Sequence, residues 1–196
     1  LSDRILERDL QMANAWMIRG EARFCARIPS GDWMGIRDLA ADYRSALDVQ
    51  EVRSQSLVRF FHQRFLDLVK PPVGELIQQA RAGLDEHAAE LQPLSRMDMN
   101  IFGSVQGFAK ANRNARNHEE AKALMQRALP AMAVTREAAQ KLMDGAMGET
   151  HLDAFIRDLT RTEKELTEAF QSLSEKVDDN TLGDVLFGKW SRKYRT

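Results

Sequence analysis

Apolar side chains between residues 150 and 177 recur at alternating spacings of four and three, and this is the most regular pattern in the chain. Such an alternation keeps one stripe of a helix turned toward its neighbours. The sequence therefore predicts one long amphipathic helix that Thr150 caps and that ends at Asp178-Asp179-Asn180. The stripe consists of Leu152, Ile156, Leu159, Glu163, Leu166, Phe170, Leu173 and Val177.

The residues beside this stripe favour a bundle helix over one strand of a leucine zipper. A zipper carries opposite charges at these positions to select its partner, whereas Phe155 and Ala169 here widen the apolar face. A zipper that binds DNA also needs a basic helix leading into its first heptad, and residues 144–149 contain two glycines instead. We therefore interpret the stretch as a central helix of a bundle, in which Glu163 needs a partner wherever it is buried.

Apolar side chains also recur at helical spacing through most of the chain before residue 70. A first helix is predicted to end near Ile28, because residues 29–32 supply a proline, a glycine and a capping aspartate. A second helix is then predicted from Trp33 to Lys70, and its middle segment is mostly polar. Pro71 and Pro72 are expected to end it, because neither can donate a backbone hydrogen bond.

After these two prolines the chain divides into shorter predicted helices. One helix runs from Val73 to Pro93. The next is expected to fray over residues 112–117. A further helix opens at His118, whose acidic neighbours suit a helix N-terminus, and it kinks or breaks at Pro130.

Together these elements predict an all-α protein of about six helices, packed as an up-and-down bundle or as two linked helical hairpins. A helix end, a polar link and a second helix occur both in residues 26–60 and in residues 115–143, which hints at a duplicated hairpin. At 196 residues the chain fits one domain or two small ones, and we predict a single helical domain. A division near Lys70–Val73 would separate residues 1–70 from residues 73–196.

Charge and composition narrow the classes of partner. A net charge of −1 gives no overall field that would attract nucleic acid, so nucleic-acid binding is disfavoured. A single cysteine excludes an intrachain disulfide framework. No window of about twenty apolar residues is present, so no transmembrane segment is predicted. We expect a cytoplasmic location. A first residue other than methionine suggests a trimmed or processed N-terminus, which leaves open whether a signal or membrane segment was removed.

Motifs that carry chemistry do not occur in the sequence. Walker loops, nucleophile elbows and zinc-protease motifs are missing, and so are the Glu-x-x-His pairs of di-iron bundles. We therefore predict no enzymatic activity, no cofactor and no metal site. Cys25 is expected to be an inert buried thiol. The four histidines are expected at the surface or at its boundary, namely His62, His87, His118 and His151.

Two further groups of side chains are candidates for binding. Basic residues at roughly helical spacing, together with a basic C-terminal tail that contains two aromatic rings, could contact phosphates or lipid head groups. This candidate interaction surface comprises Lys110, Arg113, Arg116, Lys189, Trp190, Arg192, Lys193, Tyr194 and Arg195. Aromatic side chains could instead line an apolar pocket, and they are Trp16, Trp33, Phe60, Phe61 and Phe65.

Two stretches of the chain each consist of a long amphipathic helix, a short polar break and a second helix rich in alanine and leucine. The first stretch is residues 21–27 followed by residues 33–47, and the second is residues 111–116 followed by residues 119–142. This pattern, with the basic tail, resembles that of phasins, the amphipathic helical proteins that coat bacterial polyhydroxyalkanoate granules. The resemblance covers about half of the chain and implies binding to a granule surface without catalysis. The chain departs from phasins in the prolines that divide it into more pieces, namely Pro71, Pro72, Pro93 and Pro130.

The leading functional hypothesis is a non-enzymatic interaction or scaffold protein. Its amphipathic helices would bind a protein partner, a second copy of the chain, or an apolar granule surface. The alternative is a helical sensor or ligand-binding domain that holds a small apolar molecule in the bundle core.

Overall fold

The structure, a computed structural model, describes residues 13–48, 55–91, 104–143 and 151–179. These residues form five α-helices and one short 3-10 helix, and no strand occurs among them. The prediction of an all-α helical bundle is therefore confirmed, and five helices in this part agree roughly with the predicted six. In chain order the elements are α1 Ala13–Arg27, the 3-10 helix Ile28–Ser30, α2 Met34–Asp48, α3 Gln55–Glu90, α4 Ser104–Met143 and α5 His151–Asp179.

The turn between α1 and α2 follows the predicted breaker and cap. Gly31 has a φ of 78°, in the left-handed region that favours glycine, and its backbone N–H donates to the Ile28 carbonyl at 2.9 Å. The Met34 backbone N–H then donates to Asp32 Oδ1 at 3.1 Å. The aspartate thus satisfies one of the free donors at the start of α2.

The chain divides into two compact units, and each is described by itself. Unit 1 comprises Leu1–Leu76 and Ala128–Glu163, and unit 2 comprises Ile77–Arg127 and Lys164–Thr196. The largest fully buried side chains of unit 1 are Tyr43, Phe65, Ile36, Leu39, Leu66, Met132, Leu142 and Leu152. Buried side chains of unit 2 include Ala80, Leu84, His87, Ala121, Met125, Leu166 and Leu173. The single domain with a division near Lys70–Val73 stays a prediction.

Helix α3 continues through Pro71 and Pro72, so the prediction that they end a helix is wrong. The two rings deprive the carbonyls of Asp67 and Leu68 of their helical donors. Pro71 is exposed and Pro72 is half-buried, so water can satisfy those carbonyls. The apolar seam of the helix, by which we mean its stripe of buried side chains, continues past the prolines. The buried residues keep spacings of three and four, and they are Leu66, Val69, Val73, Leu76 and Ala80.

Helix α4 is also longer than the sequence predicts. It runs unbroken through residues 112–120 and through Pro130, so the predicted fraying, the new start at His118 and the break are wrong. The second of the two supposed hairpins, residues 115–143, lies within this one helix. Pro130 sits at an exposed position. A buried seam again explains the continuity, and it consists of Ala121, Met125, Ala128, Met132, Thr135, Ala139 and Leu142.

Helix α5 matches the stripe from which it was predicted. Leu152, Leu159, Leu166 and Leu173 are all buried. Glu163 is only partly buried, and its carboxylate pairs with the guanidinium of Arg136. The seam carboxylate thus has the partner that its position requires.

Several predictions fall on residues outside the described ranges. The predicted helix from Trp33 to Lys70 is represented by α2 and the first part of α3, and residues 49–54 between them lie outside. The same holds for Pro93, for the glycines in residues 144–149, for Thr150 and for the C-terminal tail from residue 180.

Candidate functional site

A buried ion pair joins α1 to α2 in unit 1. Asp42 is 4% exposed, and both of its carboxylate oxygens accept hydrogen bonds from Arg19, with Nε at 3.2 Å from Oδ2. The Arg19 guanidinium also lies 4.0 Å from the centre of the Trp16 ring, which adds a cation–π contact. A Cβ on Gly20 would lie 3.0 Å from the Asp42 Cβ. A side chain at residue 20 would therefore require Asp42 to shift by a few tenths of an ångström.

A second network in unit 1 connects α1, α2 and α3. The Tyr43 hydroxyl donates to Glu21 Oε1 at 2.7 Å, and Arg64 donates to both Glu21 oxygens at 2.9 and 2.8 Å. The hydrogen bond from Arg64 holds the pKa of Glu21 below its usual range despite partial burial. Burial and the Glu21 carboxylate raise the pKa of Tyr43. Each group thus keeps one ionisation state around neutral pH, which suits a structural network better than acid–base catalysis.

The expectation that the histidines lie at the surface is wrong for two of them. His62 of unit 1 and His87 of unit 2 are 3% and 1% exposed. Burial lowers the pKa of His62, while the Leu142 backbone and the Asp153 carboxylate act in the opposite direction. Among the residues that the structure describes, neither ring nitrogen of His62 makes a hydrogen bond of normal geometry. The site near the end of α4 therefore favours the neutral form of His62.

Two histidines of unit 2 lie side by side within its seam. The ring centroids of His87 on α3 and His118 on α4 are 5.6 Å apart. The His118 ring also stacks on Phe170 of α5, with centroids 5.1 Å apart and an interplanar angle of 16°. Among the described residues, both nitrogens of His87 and Nδ1 of His118 are buried without a hydrogen-bond partner. Burial lowers the pKa of His87, and the electrostatic interaction with His118 lowers it further. We call His87, His118 and Phe170 the histidine cluster.

The register of α3 and α4 brings the two histidines together. In unit 2 the two helices run antiparallel, since a Cβ on Gly83 would meet Leu124 while the Asn117 amide donates to Glu90 at 2.7 Å. His87 and His118 lie between these contacts. Two imidazoles do not complete the four-ligand set of a structural zinc site. Within the described ranges, no group of three or more side chains is suited to hold a metal ion.

The basic residues of the candidate interaction surface are only partly described. Lys110 is half-buried, and Arg113 and Arg116 are exposed. Arg116 pairs with Glu120 one turn along α4 at 2.9 Å. This pair neutralises part of the charge that the sequence suggested for phosphate binding. The remaining members, Lys189, Trp190, Arg192, Lys193, Tyr194 and Arg195, lie outside the described residues.

The aromatic residues of the candidate pocket do not share one environment. Phe61 and Phe65 are buried in the core of unit 1, and the Phe61 ring meets the Tyr43 ring edge-on at 5.0 Å. Phe60 is 50% exposed, and Trp16 and Trp33 are half-buried. The described contacts therefore bring Phe60 and Phe61 together, at 5.5 Å between ring centroids.

Large apolar side chains are also exposed on the helices. Phe108 on α4 is 59% exposed, Ile18 on α1 is 56% exposed, and Met34 at the start of α2 is 43% exposed. Cys25 on α1 is exposed as well. The expectation that this thiol is buried is therefore wrong, although its neighbour Phe24 is buried.

Comparison of the chain with protein-family models, with curated proteins and with solved structures finds no match. Among the described helices, none is both long enough and apolar enough to cross a membrane.

Sequence reasoning missed the histidine cluster, although a signal for it was present. His87 falls in the same stripe as Leu84 and Ala80, and His118 lies three residues before the buried Ala121. A polar residue that holds a seam position is a candidate for a buried group with a specific role. The pairing itself depends on the register between two helices, which the spacing within each helix does not determine.

Proposed function

We propose that the protein is a non-enzymatic binding protein whose exposed aromatic side chains adsorb to an apolar surface, as the phasin resemblance implies. The observation that carries this proposal is the exposure of Phe60 and Phe108 on regular helices. Tyr43, Phe61 and Phe65 show that the same chain buries other aromatic rings completely. Phenylalanine left in water forgoes a burial energy of roughly 1.5 to 3 kcal/mol, which an apolar surface could recover.

The polar networks of unit 1 support a binding role over catalysis. Hydrogen bonds connect the side chains of Glu21, Tyr43 and Arg64. Another hydrogen bond connects Arg19 to Asp42. Paired groups of this kind hold helices in place, and none of these five side chains is left free to act as a nucleophile or base. A cytoplasmic location, where polyester granules form, is part of the proposal.

Adsorption to polyester beads tests the proposal with single substitutions. Phe60→Ser and Phe108→Ser each remove a ring that is about half exposed. Half of the burial energy is about 1 kcal/mol, so each change should weaken binding about fivefold. The measurement is the bound fraction of purified protein on polyhydroxybutyrate beads over a range of bead concentrations. Gln63→Ser and Ala109→Ser are the matched controls, because both positions are exposed on the same helices.

The outcomes separate an apolar surface from the other partners. Unchanged adsorption of the double variant Phe60→Ser/Phe108→Ser would contradict the proposal. Dimers that form without beads and are lost in the same variants would point to self-association through these rings. If the protein neither adsorbs to the beads nor forms dimers, binding to a specific protein partner would be the interaction role that remains.

The alternative of a small apolar ligand receives less support from the described contacts. Phe61 packs directly on Tyr43 and Phe60, so these rings fill space that a ligand would need. Native mass spectrometry of the protein as purified tests this alternative, since a bound molecule of reproducible mass would favour it.

A further inference from the structure

The histidine cluster lies where the three long helices of unit 2 meet. His87 comes from α3, His118 from α4 and Phe170 from α5. His87 is almost completely buried. Its neighbours along the α3 seam are Leu84 and Ala80, and both are buried too. A charge placed on this ring would therefore sit in an apolar interior shared by three helices.

No carboxylate faces the cluster to stabilise such a charge among the residues that the structure describes. The titratable group that acts on His87 across the helix interface is His118, and α5 contributes the uncharged ring of Phe170. Glu90 follows one turn later on α3, where it is exposed and accepts a hydrogen bond from Asn117. The other charged side chains near this level of the three helices are exposed or paired at the surface, namely Arg81, Glu86, Arg116, Glu119, Glu120, Glu165 and Glu168.

We propose that the His87–His118 pair is a proton-operated switch that opens unit 2 as the pH falls below neutrality. His118 is partly exposed, and its ring faces that of the buried His87 with 5.6 Å between the centroids. Protons on both rings would place two like charges in the seam. Separation of the helices removes both the burial of His87 and the repulsion between the rings.

The direction of the effect follows from proton linkage. Burial and His118 keep the pKa of His87 in the packed unit below the value of 6.5 of a free histidine. Above that value the ring is neutral whether the unit is packed or open, so stability does not depend on this group. Below it the open form binds the proton more readily, and the equilibrium constant for opening rises by up to about tenfold per pH unit for one histidine.

Opening would uncover the apolar seam positions that unit 2 buries at neutral pH. Leu84, Met125 and Leu173 are examples from the three helices. The switch needs no apolar surface, membrane or other partner, so it does not depend on the proposed function.

Hydrogen exchange of the full chain, followed by mass spectrometry at about pH 7.5 and about pH 5.5, tests the switch. The quantity compared is the protection factor, which corrects for the effect of pH on the intrinsic exchange rate. Peptides that cover residues 77–91 and 107–127 should lose protection at the lower pH, by up to about tenfold.

Three histidine variants identify the group responsible. His87→Leu places an apolar side chain in the seam and should abolish the loss of protection in these peptides. His118→Gln keeps His87 but removes the like charge, and it should weaken the loss. His151→Leu is the matched control, because His151 is exposed on α5, and it should leave the loss unchanged.

Equal protection of unit 2 at the two pH values in the unaltered protein would overturn the proposal. A full loss that persists in His87→Leu would overturn it as well. Should His87→Leu fail to fold, the His118→Gln variant decides, because an undiminished loss there contradicts the role of the pair.

Discussion

Replacing Asp42 by asparagine tests how strongly the buried ion pair with Arg19 holds α1 against α2. Asparagine keeps the shape of the side chain and one oxygen acceptor, but it removes the negative charge. The Arg19 guanidinium then remains partly buried over Trp16 without its carboxylate. The free energy of unfolding should fall, because the cation loses the buried carboxylate that offsets part of the cost of holding it out of water.

The size of the effect follows from the burial of the two side chains. Removal of one partner from a buried pair costs roughly 3 to 5 kcal/mol. The Arg19 side chain retains 18% exposure and its contact with the Trp16 ring, so we expect the lower end, about 3 kcal/mol. For a chain of this length that corresponds to a lowering of Tm by about 6 to 12 °C.

Urea unfolding followed by tryptophan fluorescence measures the loss. Trp190 lies outside the described residues, so Trp190→Phe provides a background in which Trp16 and Trp33 report on unit 1. A double-mutant cycle with Arg19→Met isolates the energy of the pair, and we expect a coupling of about 2 kcal/mol. Asp48→Asn is the control, because the exposed carboxylate of Asp48 at the end of the same helix lies 3.4 Å from Arg44 and should contribute about 0.5 kcal/mol or less.

Two results would refute this reasoning. A loss for Asp42→Asn no larger than that for Asp48→Asn would mean that burial of the pair has no energetic consequence. A coupling below about 0.5 kcal/mol would mean that the two charges act independently.

Two further predictions concern the same helices and the middle of α3. Gly20→Ala should destabilise unit 1 by about 1 to 3 kcal/mol, because the new Cβ would lie 3.0 Å from the Cβ of Asp42, which Arg19 holds in place. Gly74→Ala has open space around the new Cβ and should stabilise α3 by up to about 1 kcal/mol. Urea midpoints of both variants measure the difference in stability, and equal effects would contradict the prediction. Arg64 holds the pKa of Glu21 below the 4.5 of a free glutamate, so the stability from this carboxylate is present above that pH and is lost as the pH falls through the lowered pKa. Glu21→Gln should therefore show a smaller decrease in urea midpoint from about pH 5 to about pH 3 than the unaltered protein, and an identical decrease would exclude Glu21 as the source.

The helical class and the stripe of α5 could be predicted because both depend on spacing within one segment. Leu152, Leu159 and Leu166 turn the same way on any regular helix, whichever neighbours cover them. The continuity of α3 through Pro71 and Pro72 could not be predicted from the local cost of a proline, because that cost does not include the packing of the residues on either side. Val69, Val73 and Leu76 keep their spacing across that site, and their burial outweighs the lost backbone hydrogen bonds.

The continuity of α4 and the histidine cluster could not be predicted for a related reason. Polar residues occupy some of the buried seam positions of α4. The apolar pattern is therefore interrupted at these positions, although the helix continues through them. Thr135 is fully buried, and its hydroxyl donates to the Ala131 carbonyl at 2.7 Å, which a count of apolar residues does not anticipate. His87 and His118 meet because α3 and α4 pair in one register, and a shift by one turn would separate them.

The exposed thiol on α1 has a practical consequence for any study of self-association. Cys25 is the single cysteine of the chain and it is exposed, so under oxidising conditions two chains can be joined by one intermolecular disulfide. Protein stored without a reductant would then run as a covalent dimer whether or not its helices attract one another. Cys25→Ser is the appropriate background for measuring oligomeric state, and in the unaltered protein the same thiol offers a site for attaching one spectroscopic label per chain.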